Sequence, residues 1–270
     1  MYDKIFKPKK IKLITGEVVE EKVSRTWLTW LIIILLIAFS VILTNFDFSA
    51  LSRSGLFFQK LASMIPPNWA YFHKVLPPLL DTIKMSFFAS LLGAILSVPF
   101  AILAANNILK NRFINGIIRL IFMLARTLPT LVLALIATYI FGLGTFAGVV
   151  AIFVFTFSFI GKQLFEVIET VDMGPFEAME AVGATRVKAF VGSIMPQIMP
   201  SYLSICLYSL EINVRAAAIL GYVGAGGIGL ILNEKIGWRE YDKVGMILVM
   251  LFITVVIIEN GSKYIRERLG

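Results

Sequence analysis

Six long apolar runs alternate with polar segments along this chain of 270 residues. Each run approaches the length of about 20 mostly apolar residues that a transmembrane helix needs. The predicted spans are Trp27–Leu43, Leu79–Ala105, Ile117–Phe141, Phe146–Ile160, Ser201–Tyr222 and Val244–Glu259. The fourth is short by this count, and a helical continuation through Lys162 and Gln163 would complete it. The pattern predicts an all-α, polytopic membrane protein with six transmembrane helices.

The composition agrees with this prediction. Hydrophobic residues make up 58% of the chain, charged residues make up 16%, and the mean hydropathy is +0.85. Soluble chains are about 45–50% apolar and about 25% charged. The first span follows the polar residues 1–26 and lacks a small-residue cleavage site. We therefore interpret it as a retained helix rather than a signal peptide.

The distribution of Lys and Arg predicts the orientation, because cytoplasmic segments carry the excess of positive charge. With the N-terminus inside, sixteen of the 25 Lys and Arg lie in inner segments. Three lie within spans, and six lie in outer segments: Arg53, Lys60, Lys74, Lys235, Arg239 and Lys243. Both termini are therefore predicted to be cytoplasmic.

This topology divides the chain into five regions. Residues 1–26 form a basic cytoplasmic tail, which also contains acidic residues and adjoins a span, so that membrane lipid is a better partner for it than nucleic acid. Residues 27–43 form the first helix. Residues 44–78 form an extracytoplasmic segment whose aromatic residues favour an interfacial helix. Residues 79–263 form the main transmembrane domain, and residues 264–270 form a short cytoplasmic tail.

Metal and disulfide chemistry have little support in the sequence. Cys206 is the one cysteine of the chain and lies in an apolar run, which favours a packing role. His73 is the one histidine and lies near a predicted membrane edge, where an interfacial role is favoured over metal binding. No Cys/His cluster has zinc or copper spacing, so no metal site is predicted.

A polar stretch, Pro175–Pro196, separates the fourth and fifth spans and has the features of two short helices. Pro175 suits the first position of a helix, where its missing N–H costs nothing. Acidic residues follow in the first turn, where the helix dipole favours negative charge. Gly183 can end or bend this helix, and Pro196 is expected to close the second one. The candidate residues of this loop are Glu177, Ala178, Glu180, Ala181, Gly183, Ala184 and Pro196.

Two charged residues, Glu211 and Arg215, lie in the fifth span. Burying an ionisable group in a membrane costs at least about 2.5–3.5 kcal/mol on insertion scales. Their i, i+4 spacing, with the acid N-terminal, is the better orientation for a helical ion pair. The pair either fixes helix packing or belongs to the transport route or gate, and both roles can hold. Asn213 points to another face.

The third span contains Arg126 near its middle, followed by Pro129, which should loosen the helix one turn back. A buried arginine with no acid in its own span indicates either a partner on another helix, such as Glu211, or an anionic substrate. In the second span, Asp81 and Lys84 are interpreted as a local ion pair near the outer edge.

Five glycines lie between Gly221 and Gly229, after the fifth span. They include a G-x-G-x-x-G pattern, but a dinucleotide-binding fingerprint requires a preceding strand. We therefore interpret the glycines as unwound or closely packed backbone beside the outer end of a transport route. The candidate route or gate residues are Arg126, Glu211, Asn213, Arg215, Gly224, Gly226 and Gly227.

Two of these motifs resemble a known family. The pattern from Glu177 to Gly183, with Ile194-Met195-Pro196 behind it, resembles the "EAA" coupling loop of ABC importer permeases, which docks into a groove of a cytoplasmic ATPase. The block from Glu211 to Gly229, with Arg126-Thr127-Leu128-Pro129, resembles the permeases of phosphonate importers, a group that includes phosphite systems. The resemblance covers roughly Leu79 to Lys263.

The resemblance implies a type I ABC importer permease fold and a non-catalytic transport subunit. It further implies a homodimer that forms one route, two cytoplasmic ATPase subunits and an extracytoplasmic binding protein. The chain contains no phosphate-binding loop of the G-x-x-x-x-G-K-S/T type, so ATP and Mg²⁺ would be bound by the partner ATPase. No cofactor is expected in this chain.

Other functions remain to be weighed against this one. An importer permease for methionine or another small organic solute is the main alternative on substrate. A self-sufficient channel or secondary transporter is disfavoured by the loop between the fourth and fifth spans. A lipid-modifying membrane enzyme would need clustered catalytic side chains at one interface, and the sequence contains no such motif.

Overall fold

The computed structural model describes residues 9–12, 18–21, 26–44 and 54–269, in two compact units, Met1–Gln59 and Lys60–Gly270. In the first unit, strands β1 (Lys9–Lys12) and β2 (Val18–Glu21) form an antiparallel pair with Lys9 opposite Glu21. Helix α1 (Thr26–Leu43) follows, and α2 (Ser54–Ala62) crosses the boundary between the units. This antiparallel pair lies in the basic tail, before the apolar helices that make up the predicted all-α membrane fold.

The second unit is helical throughout. Its elements after a short 3₁₀ turn are α3 (Phe72–Ala104), α4 (Arg112–Thr127), α5 (Thr130–Phe141), α6 (Thr145–Thr170), α7 (Gly174–Ala181), α8 (Arg186–Ala189), α9 (Met195–Leu220), α10 (Ile228–Gly237) and α11 (Tyr241–Arg266). Helices α3, α6 and α9 pack against one another, α4 and α5 lie against α6, and α11 lies against α9 and α3. Five helical segments of the described chain are long and apolar enough to span a membrane, or six if the bent pair α4–α5 forms one span.

Small residues on α3 allow its close approach to α6. Ser86, Ala89, Ser90, Gly93 and Ser97 are all buried on one side of α3. A Cβ atom added at Gly93 would lie only 2.8 Å from the Cβ of Thr156. Small side chains let helix backbones come close together in membranes, where packing replaces the hydrophobic driving force.

The predicted third span is broken rather than loosened. Helix α4 ends at Thr127, Leu128 is extended, and Pro129 precedes the first residue of α5. The axes of the two helices differ by 91°. The residue before a proline avoids the helical region, and the proline lacks the N–H that would continue the hydrogen-bond ladder. The prediction of one continuous helix over Ile117–Phe141 was therefore wrong.

The fourth and fifth spans are longer than their apolar runs. Helix α6 continues through Lys162 and Gln163 to Thr170, as its length required. The fifth helical run extends over Arg186–Val223, because a π-helical turn, Phe190–Ile194, joins α8 directly to α9. Pro196 lies in the first turn of α9 and does not close a separate short helix, contrary to prediction. A proline is tolerated there because the N–H it lacks belongs to the helix start.

The segment Asn45–Lys74 was predicted to contain an interfacial helix. Helix α2 lies within this segment, while residues 45–53 fall outside the described part of the chain. Helix α3 begins at Phe72, before the predicted start at Leu79. The prediction started too late because it followed the apolar run, whereas the helix extends beyond that run through the polar residues His73 and Lys74.

Candidate functional site

The loop between α6 and α9 begins with a well-capped short helix. The side chain of Asp172 accepts a hydrogen bond from the Gly174 N–H at 2.9 Å, and Pro175 occupies the first turn of α7. Glu177 is also in this turn, where the carboxylate faces the positive end of the helix dipole. These local interactions explain why α7 starts here, directly after α6 ends.

Gly183 ends α7 with backbone geometry that favours glycine. Its φ is +92°, its N–H donates to the Glu180 carbonyl, and the Ala184 N–H donates to the Met179 carbonyl, both at 3.0 Å. These two bonds form a Schellman motif, which satisfies carbonyls that a helix end leaves free. The predicted turn at Gly183 is confirmed.

One face of the loop is anchored in the core. Phe176 is 5% exposed and packs in a cluster that includes Ala189, Ile194 and Ile198. A Cβ atom added at Gly192 would lie 3.0 Å from the terminal methyl of Met179, so the π-helical turn and α7 are in close contact. The loop is therefore held in a definite position on the helical unit.

The opposite face of the loop is open. Val182 and Val187 are 85% and 74% exposed. Glu180 pairs with Arg186 at 3.1 Å, while Glu177, Ala178 and Ala181 are exposed beside them. Ala184 is half-buried, and the exposed Pro196 lies on the far side of the π-helical turn.

Glu211, the acidic member of the predicted pair in α9, lies closer to an arginine on α11 than to Arg215. Glu211 is buried, and its Oε1 lies 2.9 Å from Nη2 of Arg266, at ion-pair distance but without the alignment of a hydrogen bond. The i, i+4 contact to Arg215 is longer, 3.8 Å, and the Arg215 side chain is 51% exposed. Arg266 lies in the last turn of α11 beside another basic residue, so from the sequence it was counted only as a signal of membrane orientation. Spacing within one helix cannot reveal a partner on another.

Arg126 is not the partner of Glu211. Its guanidinium lies over the ring of Phe159 on α6, 5.7 Å from the centroid. No carboxylate of the described residues lies within ion-pair distance of it. Asp81 and Lys84 on α3 also do not form the ion pair predicted for them. A cation over an aromatic face is stabilised by the ring quadrupole. Arg126 is otherwise exposed in the single chain.

Asn213 fastens three helices together. It is fully buried, and its Nδ2 lies 2.7 Å from the hydroxyl oxygens of both Ser90 on α3 and Thr156 on α6. The Ser209 hydroxyl lies 3.4 Å away. Asn213 does point away from Glu211 and Arg215, and its contacts suit helix packing. Its participation in a route stays a prediction.

The glycine turn after α9 is a site of close backbone packing. Gly224, Gly226 and Gly227 all have φ between +70° and +78°. A Cβ atom added at Gly226 would lie 2.8 Å from Thr145, and one added at Gly227 would lie 2.5 Å from Oγ1 of Thr82. The same Thr82 hydroxyl accepts a hydrogen bond from the Ile228 N–H at 2.7 Å. The turn follows a helix rather than a strand, so it is no dinucleotide fingerprint.

The candidate route residues do not form one cavity within a single chain. Arg126 lies against α6, Asn213 lies inside the three-helix contact, and Arg215 is half-exposed on α9. The segment between α6 and α9, which contains α7 and α8, is called the α7–α8 loop. The glycines follow the other end of α9 and so lie at the opposite end of the bundle. Among the candidate residues, those from Glu177 to Ala184 lie together in and just after α7.

Comparison with known proteins places the chain. The family model described as "binding-protein-dependent transport system inner membrane component" matches residues 97–260. The phosphate-import permease protein PhnE of Mycolicibacterium smegmatis is 35% identical over 207 residues, covering 76% of this chain and 39% of that longer protein. The phosphite transport system permease protein PtxC of Stutzerimonas stutzeri is 30% identical over 75% of this chain and 74% of its own length.

The fold has solved counterparts. The inward-facing MetNI methionine ABC transporter contains a chain that superposes with a TM-score of 0.67 at 23% identity, covering 75% of this chain and 99% of that one. This likeness confirms the type I importer permease fold, and the matched relatives are named as permease proteins. The chain belongs to the family of inner membrane components of binding-protein-dependent transport systems.

Proposed function

We propose that this chain is the permease subunit of an ATP-driven importer for a phosphonate- or phosphite-type oxyanion. The observation that carries the coupling role is the α7–α8 loop, whose inner face is anchored by Phe176 and whose outer face exposes Val182 and Val187. Exposed apolar side chains rimmed by charges mark protein-interaction surfaces. In this proposal the loop faces the cytoplasm and both termini lie on the same side.

The partners follow from what one chain lacks. Five or six spans are few to enclose a water-filled route, and most homo-oligomers close by two-fold symmetry. Two copies around an axis normal to the membrane would share one route and present two loops to two ATPase subunits. An extracytoplasmic binding protein would deliver the solute. Arg126 and Arg215, contributed by both copies, would give the route a positive character that suits an oxyanion.

The substrate class is supported by the relatives. The two permeases at 35% and 30% identity are named for phosphate and phosphite, whereas the methionine transporter is a likeness of fold at 23% identity. The half-exposed Arg215 and Arg126, which lacks a carboxylate partner among the described residues, provide the positive groups that an anion requires. A methionine importer remains the less supported alternative.

Reconstitution into liposomes tests the proposal. The purified chain, alone and with its ATPase and binding protein, is assayed for uptake of methylphosphonate, phosphite and methionine. We expect ATP-dependent uptake of a phosphorus oxyanion by the complete assembly only. Uptake by the chain alone would identify a self-sufficient transporter, and uptake of methionine only would overturn the substrate class.

A further inference from the structure

A polar pocket of about 620 Å³ lies where α3 turns into α4, at the same end of the bundle as the α7–α8 loop. It is separate from every candidate residue discussed above. Its lining consists of basic and amide side chains with one glycine: Asn106, Lys110, Arg112, Asn115, Gly116 and Arg119.

The end of α3 holds the inner wall of this pocket in place. The carbonyl of Ala104 accepts hydrogen bonds from Nε and Nη2 of Arg119 at 3.0 and 2.8 Å, and from Asn115 at 3.3 Å. Nη2 of Arg119 also pairs with Glu169 on α6, and its guanidinium stacks 4.6 Å from the Phe165 ring centroid. Arg119 is therefore a fixed wall residue whose charge is largely balanced.

The outer part of the pocket has positive charge that no carboxylate of the described residues balances. Lys110 and Arg112 are exposed and have no ion-pair partner among the described residues. The N-terminus of α4 adds its dipole to them, although the Asn111 side chain already accepts from the N–H groups of Phe113 and Ile114. With Glu169 paired to Arg119, two uncompensated positive charges remain.

A buried polar atom in the wall lacks a partner. Asn115 is 2% exposed, and its Nδ2 donates to the carbonyls of Ala104 and Leu109. Its Oδ1 has no hydrogen-bond partner among the described residues. Buried polar atoms are nearly always satisfied by protein, ligand or ordered water. Because phosphate oxygens are also acceptors, a phosphate in the pocket would satisfy this atom through a water that donates to both.

We propose that this pocket binds a phosphate group. Basic pockets beside membrane helices on the cytoplasmic side recognise anionic headgroups, and Arg and Lys are the residues that bind phosphate oxygens. The phosphate would belong either to an anionic lipid or to free phosphate in the cytoplasm. Phe113 at the mouth is 76% exposed and Ile117 is 43% exposed, so acyl chains could lie along α4 while the headgroup enters the pocket.

Two kinds of variant test the pocket. Lys110→Gln together with Arg112→Gln removes the unbalanced charges, and the matched control is Lys263→Gln with Arg268→Gln, which removes two charges from the end of α11. Gly116→Glu places an acid inside the pocket, where an added Cβ meets no atom within 4 Å. Its control is Gly261→Glu on α11, where the Cβ position is equally open.

Binding is measured on the purified full chain in detergent by native mass spectrometry, titrated with dioleoylphosphatidylglycerol or with inorganic phosphate. Dioleoylphosphatidylcholine is the neutral reference. Because each basic residue near an anionic headgroup contributes about fivefold, we expect the double variant to bind about 30-fold more weakly. Gly116→Glu should abolish saturable binding, and both controls should bind as the wild type does.

The probe that binds identifies the source of the phosphate group, lipid or free ion. The proposal is overturned if neither probe binds more tightly than the neutral lipid. It is also overturned if a pocket variant that elutes as a folded species keeps wild-type affinity, or if the controls lose as much as the pocket variants. Because no transport is measured, the result is independent of the proposed import function.

Discussion

Glu211 lies inside the helical unit between two arginines of unequal burial. Arg266 is the closer and less exposed of the two, at 28% exposure of its side chain against 51% for Arg215. An ion pair in a low-dielectric interior is stabilising only when geometry and desolvation are favourable for both groups. The residue-scale question is therefore which arginine neutralises the buried carboxylate.

We predict that Arg266→Gln destabilises the chain more than Arg215→Gln. Removing Arg266 leaves a buried carboxylate without its near partner and should lower the free energy of unfolding by up to about 3 kcal/mol. Removing the half-exposed Arg215 should cost less than about 1 kcal/mol. The two variants are heated in detergent, and the fraction that remains folded is measured by size-exclusion chromatography. Arg268→Gln is the control. An equal or larger loss in Arg215→Gln would assign the neutralising role to Arg215.

A second residue-scale prediction concerns Glu240, between α10 and α11. Its carboxylate accepts from Lys243 at 2.5 Å and lies 3.1 Å from Lys235, and these contacts hold the pKa of Glu240 below its usual value. The hydrogen bonds to Glu234 and Glu240 raise the pKa of Lys235. Since a depressed carboxyl pKa stabilises the fold above the unfolded value of about 4.3, the contribution is lost as pH falls through the folded pKa.

Glu240→Gln should therefore lower the Tm at neutral pH, and the difference from the wild type should shrink as the pH falls below about 4. Thermal scans over a pH series provide the measurement. Glu267→Gln, which removes an exposed carboxylate 3.9 Å from Lys263, serves as the control and should show little change. A difference that grows in acid would show that Glu240 does not act through its charge.

At the scale of elements, two breaks in helix determine the shape of the unit, and each has a local cause. Pro129 separates α4 from α5 with a 91° bend, and Gly183 ends α7 through its Schellman motif. The break at Gly183 is the one that bears on the proposed coupling role, because it lies between the exposed Val182 and Val187 of the α7–α8 loop. An added Cβ at Gly183 meets no atom within 4 Å, so space does not limit the side chain at this position. The φ of +92° does, because side chains other than glycine rarely adopt it.

Gly183→Val should uncouple the ATPase while leaving the chain folded. A β-branched residue in the left-handed region costs roughly 1–2 kcal/mol, which is enough to rearrange the turn. Gly183→Asn should retain coupling, because Asn tolerates this region. Glu177→Lys, which reverses charge on the exposed face, should also impair coupling. ATP hydrolysis stimulated by the binding protein is the measurement, and wild-type stimulation in both Gly183→Val and Glu177→Lys would refute the coupling role.

At the scale of the whole molecule, the separation of the charged groups within one chain is the informative feature. Arg126 and Arg215 share no cavity in the described chain, whereas the loop residues from Glu177 to Ala184 lie together in and just after α7. A route shared by two copies would bring such groups together from both sides of a two-fold axis, which is why the proposed function requires a dimer.

The topology provides a test at this scale. Single cysteines are introduced into a Cys206→Ala background at Lys9, Gly55, Arg186, Glu240 and Arg268, and sealed cells are treated with an impermeant thiol reagent. Only the positions at Gly55 and Glu240 should react, because the positive-inside rule assigns the other three to the cytoplasm. Labelling at Arg186 in sealed cells would overturn the orientation and the proposed ATPase contact together. Permeabilised cells, in which all exposed positions react, are the control.

The sequence by itself determined which segments are apolar helices, apart from the break at Pro129, and where the short α7 helix begins and ends. Apolar length, Pro175, the acidic first turn and Gly183 all act within a few residues along the chain, so a linear pattern contains the information. The sequence also showed that the loop from Glu177 to Gly183 and the block from Glu211 to Gly229 resemble those of ABC importer permeases. The family match confirms that family.

The tertiary structure alone decided how these elements meet. It placed Arg266 beside Glu211, put Arg126 over Phe159, joined Asn213 to Ser90 and Thr156, and fused α8 to α9 through a π-helical turn. It also assembled the basic pocket from the end of α3 and the start of α4. Contacts between residues far apart in the chain depend on helix tilt, crossing and bending, and a change of a few ångströms in these exchanges one partner for another. Local spacing contains no record of that geometry.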